Sequence, residues 1–306
     1  MAIAAILLYV LLYGASLGRL GSAPGFEAGE SLAVLLIFGL GYSLAAVLAT
    51  RGIEPPSAPS TRVLAPGRET ALVVVYLVAF AFAVLGWGFS ALRAALPAGR
   101  LQETAILAVK LLTMVALPAL LLSKAGYRVR DLLALRRFDR RLWRAFAVMA
   151  TLMLALQLIV GRGPKAIAAL DQSPWVIALC APLALAWMTL EAGLTEEFLF
   201  RALLQTRASA WLRSETAGVI FMSVLFGLAH APGYVLRGQH LMEGMAAAPD
   251  PWTAVAYSIV VVSPIGFVFG VLWARTRSLL LVALLHGWAD LVPNLAPFVR
   301  TWLGGG

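Results

Sequence analysis

Leu279–Val299, LLLVALLHGWADLVPNLAPFV, decides the class of this chain. Its one formal charge is Asp290, and as a helix rising about 1.5 Å per residue it is long enough to cross the roughly 30 Å hydrocarbon core of a bilayer. The pattern repeats upstream, with apolar windows at 2–20, 32–50, 71–93, 103–123, 143–160, 175–200, 217–236 and 254–274. Of the 306 residues 61% are hydrophobic and 13% charged, where a soluble domain is about a quarter charged. Mean hydropathy is +0.88. Alternating strand patterns are missing, and a chain in lipid that cannot close a barrel must satisfy its backbone within helices. The reading is all-α: a polytopic transmembrane helix bundle of nine spans, or eight if the first run only lies at the interface. That run, Ala2–Leu17, has no basic n-region and another span follows it, so it reads as a membrane helix and not a cleaved signal.

The net charge of +9 does not point to nucleic acid, because the basic residues cluster in short links between apolar runs. The densest link is Lys124–Arg144, KAGYRVRDLLALRRFDRRLWR. By the positive-inside rule it is cytoplasmic. Alternation then puts the Pro- and Ser-rich link Arg51–Glu69 on the same side, together with Arg207 and Arg213 and with Arg275 and Arg277. The basic link is either a topology signal alone or also a surface helix against anionic lipid. The expected location is an integral, multi-pass protein of a bacterial inner membrane, with membrane lipids as its surroundings and no nucleic-acid partner. The lone cysteine, Cys180, allows no intrachain disulfide and reads as a small buried hydrophobe.

Ionisable residues within such spans are costly, and their default reading is functional. They crowd into the C-terminal half. In LTEEFLFRAL, Glu197 and Arg201 are four apart and share a helix face, whereas Glu196 points about 100° away. One carboxylate is then free to face a cavity while the other is neutralised. In VLFGLAHAPG, Phe226 and His230 share a face. In LLHGWADLV, His286 and Asp290 do, so that the carboxylate can orient the imidazole. Counting residues from the link ends puts all three elements at middle depth, in one chamber expected to open to the cytoplasm. Each group also has a bland reading, as an ion pair at a helix end or as polar glue between helices. Lys110 is expected to snorkel or to pair with another helix, Glu191 ranks below Glu196, and His240 reads as a solvated link residue.

Glu196-Glu197-x-x-x-Arg201, Phe226-x-x-x-His230 and His286-x-x-x-Asp290, in this order, resemble the motif set of the CPBP family: the CAAX proteases, bacteriocin-processing enzymes and Abi-like proteins that include the type II CAAX prenyl endopeptidases. The resemblance covers about residues 175–300. It implies that Glu196 is a general base for water, helped by His230, and that His286 and the residue four later stabilise an oxyanion, with Glu197, Arg201 and Phe226 in support. That later residue is Asp290 here, where the prenyl endopeptidases have Asn. An ionised Asp donates no hydrogen bond, so Asp290 must be protonated or must act through His286.

The residues alone leave a second version open: Glu196, His230 and His286, or Asp290 in place of Glu196, as ligands of Zn²⁺. The expected division is an N-terminal set of helices and basic link over 1–141 and a protease-like core over 142–306. The expected function is an intramembrane endopeptidase acting on a peptide or protein, lipidated or not. The alternatives are a non-catalytic immunity or scaffold protein on the same fold and a proton-coupled transporter using the same residues as a relay.

Overall fold

The computed structural model describes residues 1–23, 25–55, 63–237, 242 and 249–304. Among them are nine helices long and apolar enough to span a membrane, and no strand. They are α1 Ala2–Leu20, α2 Ala28–Ala49, α3 Pro66–Ala95, α4 Arg100–Lys124, α5 Arg140–Val160, α6 Pro174–Leu212, α7 Glu215–Leu236, α8 Pro251–Thr276 and α9 Leu279–Leu303. The protein is an all-α, multi-pass membrane bundle. Large apolar side chains such as Leu7, Val75, Phe82, Ile159 and Leu183 are exposed along the outer helix faces, as lipid-facing surfaces require. His240 and most of the link between α7 and α8 lie outside the described residues, as does the middle of the link between α2 and α3.

The centre belongs to α7, α8 and α9. Of an 18-residue apolar window of α8, 72% is buried, against 22% for that of α1. Small residues let these backbones approach. A Cβ on Gly227 of α7 would strike the Ser258 carbonyl of α8, and a Cβ on Gly266 of α8 would press on Ser223 of α7. Such small-residue contacts replace the hydrophobic drive that lipid removes. Cys180 is buried in a satellite cluster between α6 and α9, in agreement with its reading as a small hydrophobe.

The links gather at two ends. At the basic end the arginines of the Lys124–Arg144 link bind helix-end carbonyls. Arg136 donates to the carbonyls of Glu54 (2.9 Å) and Thr276 (3.2 Å), and Arg144 to that of Arg51 (2.7 Å). The link therefore does more than set orientation, since it satisfies orphan C-terminal acceptors of neighbouring helices. Two left-handed residues, Arg213 and Arg277, make tight α6–α7 and α8–α9 turns here, and Arg277 also pairs with Glu215. At the opposite end Arg19 meets Asp250 (3.0 Å), Arg93 meets Glu103 (3.8 Å), and Arg100 donates to the Thr301 carbonyl (3.4 Å).

Candidate active site

α6 and α9 meet where neither has side-chain bulk. A Cβ on Gly193 would collide with the Ala283 carbonyl, and one on Gly287 with Thr189. This close approach lets His286 reach across to α6. Its Nδ1 lies 2.7 Å from Glu197 Oε1. Glu197 is fully buried and also lies 3.1 Å from Arg201 Nη1, with Arg201 itself fully buried. The angle of that contact is off a linear hydrogen bond, so the attraction is mainly that of charge. Arg201 is flanked by two aromatic faces, its Cζ 4.6 Å from the Phe226 ring centre and 5.5 Å from that of Phe269. Phe269 in turn stacks on His286 at 4.9 Å. The pairing expected from the spacing of Glu197 and Arg201 is present. The hydrogen bond to His286, which spacing along α9 assigned to Asp290, is made by Glu197. Asp290 Oδ2 stands 3.6 Å from His286 Nε2, beyond hydrogen-bond length.

The neighbouring carboxylate points elsewhere. Glu196 and His230 both line a chamber of about 220 Å³, together with Lys110 and Glu191. His286 and Asp290 are not among the residues that line this chamber, and His286 Nε2 lies 3.9 Å from Glu196 Oε2. His230 Nδ1 lies 2.8 Å from the Phe226 carbonyl oxygen. A carbonyl only accepts, so Nδ1 carries the proton in this contact. Glu196 and Glu197 are thus divided by the helical turn between them: one faces the chamber and one is locked in the bundle.

Lys110 is the residue that sequence reasoning underrated. It comes from α4, and its Nζ is 2.5 Å from Glu191 Oε1 and 3.9 Å from Glu196 Oε1. The signal was present, since Lys110 and Glu191 are ionisable residues in apolar runs, as His230 is. A second tie comes from α5. Pro293 has no N–H to offer the carbonyl of Ala289, four residues earlier on α9. Gln157 donates its side-chain amide to that carbonyl at 3.2 Å. The backbone beside Asp290 is thereby held against α5.

The Zn²⁺ version finds no support in this geometry. A catalytic zinc takes three protein ligands at roughly 2 Å. Among the described residues no group of three or more His, Cys, Asp or Glu side chains converges in that way. His286 has turned its Nδ1 to Glu197 and keeps Nε2 3.9 Å from Glu196. Glu196 and His230 put a carboxylate and an imidazole on one chamber, and Glu197, Arg201 and His286 form a buried polar cluster beside them.

A search of curated proteins and one of solved structures returned no match. A scan of family models matched residues 178–292 to the type II CAAX prenyl endopeptidase Rce1-like model. The matched segment holds Glu191, Glu196, Glu197, Arg201, Phe226, His230, His286 and Asp290, whereas Lys110 and Gln157 lie outside it. A Rce1-like CAAX prenyl endopeptidase family domain, of the wider CPBP and Abi-like group, is thus detected over residues 178–292, part of this multi-pass membrane protein.

Proposed function

We propose that this protein is an intramembrane endopeptidase of a bacterial inner membrane, and that it hydrolyses a peptide bond by activating water at Glu196 and His230. The observation that carries the reading is the division of labour between adjacent carboxylates: Glu196 shares a chamber with His230, while Glu197 is withdrawn by Arg201 and His286. Glu196 takes a proton from water as the oxygen attacks the scissile carbonyl carbon, and His230, on the same chamber wall, helps to hold that water. The tetrahedral oxyanion then collapses, the C–N bond breaks, and the proton passes from Glu196 to the leaving amine. His286 in its imidazolium form donates from both nitrogens, Nδ1 to Glu197 and Nε2 towards the oxyanion. Asp290, 3.6 Å from Nε2 in the absence of substrate, acts on the reaction through His286 and is a positioning residue.

The test is cleavage of a quenched-fluorescence peptide library by the purified protein in detergent. Wild type is compared with Glu196→Ala and His230→Ala, each with and without a chelator. Loss of a general base or its helper is expected to slow cleavage by about 10²–10⁴-fold, and chelator is expected to change nothing. Cleavage surviving both substitutions would sink the assignment. A protein that never cleaves while retaining its fold supports the scaffold reading.

A further inference from the structure

The chamber holds two carboxylates of one helix that ordinary α-helical spacing would keep apart. Glu191 and Glu196 are five residues apart on α6, which at about 100° per residue sets them about 140° from each other. Both nevertheless line the chamber. The reason is local. α6 is α-helical over Pro174–Met188, π-helical over Thr189–Leu194 and α-helical again at Thr195–Glu197. A π turn closes i→i+5 bonds, so it brings residues five apart towards one face. The wide turn is fixed from two sides. The Thr195 hydroxyl donates to the Glu191 carbonyl at 2.6 Å, and Gly193, inside the turn, sits against the Ala283 carbonyl of α9 with no room for a Cβ.

Lys110 reaches this face from α4 and divides itself unequally. Its Nζ lies 2.5 Å from Glu191 Oε1 and 3.9 Å from Glu196 Oε1. A charge-assisted hydrogen bond is about 2.7–2.9 Å long, so the first contact is a closed ion pair and the second stops roughly 1 Å short of one. The side chains of Lys110, Glu191 and Glu196 are 12%, 20% and 16% exposed, and Phe89, Ile106 and Met114 beside them are buried. With so little water at hand an ammonium is drawn to a carboxylate, and the flexible lysine stem lets it move to one. The other cation on the chamber, Arg93, is turned to Glu103 at 3.8 Å. Glu196 thus has a donor near each oxygen, Lys110 on the Oε1 side and His286 Nε2 on the Oε2 side, both at 3.9 Å and neither bonded. An ammonium closed on Oε1 would occupy the lone pair that an attacking water needs.

We infer that Glu191 is a positioning residue, which holds the Lys110 ammonium away from Glu196 and so keeps Glu196 Oε1 open as a base. The holding stands on the π turn and the two distances, while its consequence for cleavage rests on the hydrolase reading above. The site is then a joint product of the matched segment and of α4, which lies outside it.

Two measurements test this, and the first needs no activity. Glu191→Gln keeps the side-chain volume and removes the charge, which leaves Glu196 as the remaining carboxylate contact of Lys110. The unfolding midpoint in detergent is read for wild type and for Glu191→Gln, each with and without Glu196→Gln. Glu196→Gln is expected to lower the midpoint more in the Glu191→Gln background, where it strands Lys110, than in wild type, where Lys110 keeps Glu191. Equal shifts in the two backgrounds overturn the holding. The second measurement is cleavage of the library peptides. Glu191→Gln is expected to lower kcat by about 10–100-fold with little change in KM, and adding Lys110→Met, which removes the cation, is expected to restore most of the lost kcat. A merely structural pair would lose more with each substitution. Glu191→Gln as fast as wild type, or a double variant no faster than Glu191→Gln, overturns the positioning role. A wild type that cleaves nothing, with the unequal midpoint shifts present, removes the hydrolase and leaves the ammonium held by Glu191; cleavage by wild type with equal shifts removes the holding and leaves the hydrolase.

Discussion

His286 of α9 and Glu197 of α6 are joined by a 2.7 Å hydrogen bond from the imidazole Nδ1 to a carboxylate oxygen that also faces Arg201. The bond sets the ring's orientation, so that Nε2 faces Glu196 and Asp290. Glu197→Gln retains the volume and removes the charge. Orienting partners of this kind are worth about 10–100-fold in activity, and Glu197→Gln is expected to lower kcat by that factor with little change in KM. Arg201→Ala leaves Glu197 buried without its cation, and removing one partner of a buried pair costs about 3–5 kcal/mol. Its first readout is therefore a lowered unfolding midpoint in detergent, and an unchanged midpoint would show that the cluster is not under electrostatic load.

Lys110 couples α4 to the site through Glu191 and Glu196. Lys110→Met strands two carboxylates in apolar surroundings and is expected to be clearly destabilising, by about 3–5 kcal/mol if the pair behaves as a buried one. Adding Glu191→Leu removes the more closely paired charge. The double variant is expected to be more stable than Lys110→Met alone, with a coupling of about 0.5–3 kcal/mol in a double-mutant cycle. Additive losses would mean that the 2.5 Å contact carries no energy.

The approach of α6 to α9 depends on Gly287, whose missing Cβ leaves room for Thr189. Gly287→Leu forces the helices apart and is expected to break the His286–Glu197 bond, with loss of activity and a lowered unfolding midpoint. Gly14 of α1 has nothing within 4 Å of an added Cβ, and Gly14→Leu is expected to leave both unchanged. The pair, measured side by side, separates close packing from a general intolerance of bulk.

Asp250 caps α8 outside the membrane. Its carboxyl is drawn from 3.8 down to about 2 by the Thr253 hydroxyl, the Thr253 and Trp252 N–H groups and Arg19. A folded-state value below the unfolded one stabilises above the unfolded value, and the effect is lost as pH falls through the folded one. The Tm gap between wild type and Asp250→Ala is expected to be full above pH 3.8 and to close as the pH approaches about 2. Because the group is exposed, added salt should narrow the part owed to Arg19. A gap independent of pH across that window would show that the cap acts without its charge.

Much of this was legible before any coordinates. The nine apolar windows correspond to nine helices among the described residues, because lipid leaves the backbone few options and hydropathy reports them directly. The Glu197–Arg201 pair followed from i,i+4 spacing, and the candidate site residues stood out because charge in an apolar run is rare. Periodicity within one helix, however, speaks only of that helix. It offered Asp290 to His286 because they share a face of α9, and could not see that Gly193 and Gly287 bring α6 close enough for Glu197 to take the bond. For the same reason Lys110 was legible as anomalous but not as a neighbour of Glu196.

The sequence by itself determined the class of molecule, its spans and the residue types available for chemistry, because burial in lipid is a property each segment meets alone. Only the tertiary structure decided which carboxylate faces the chamber and which one holds His286. Those are distances between helices, set by where small residues allow two backbones to touch and by which aromatic side chains fill the space that remains.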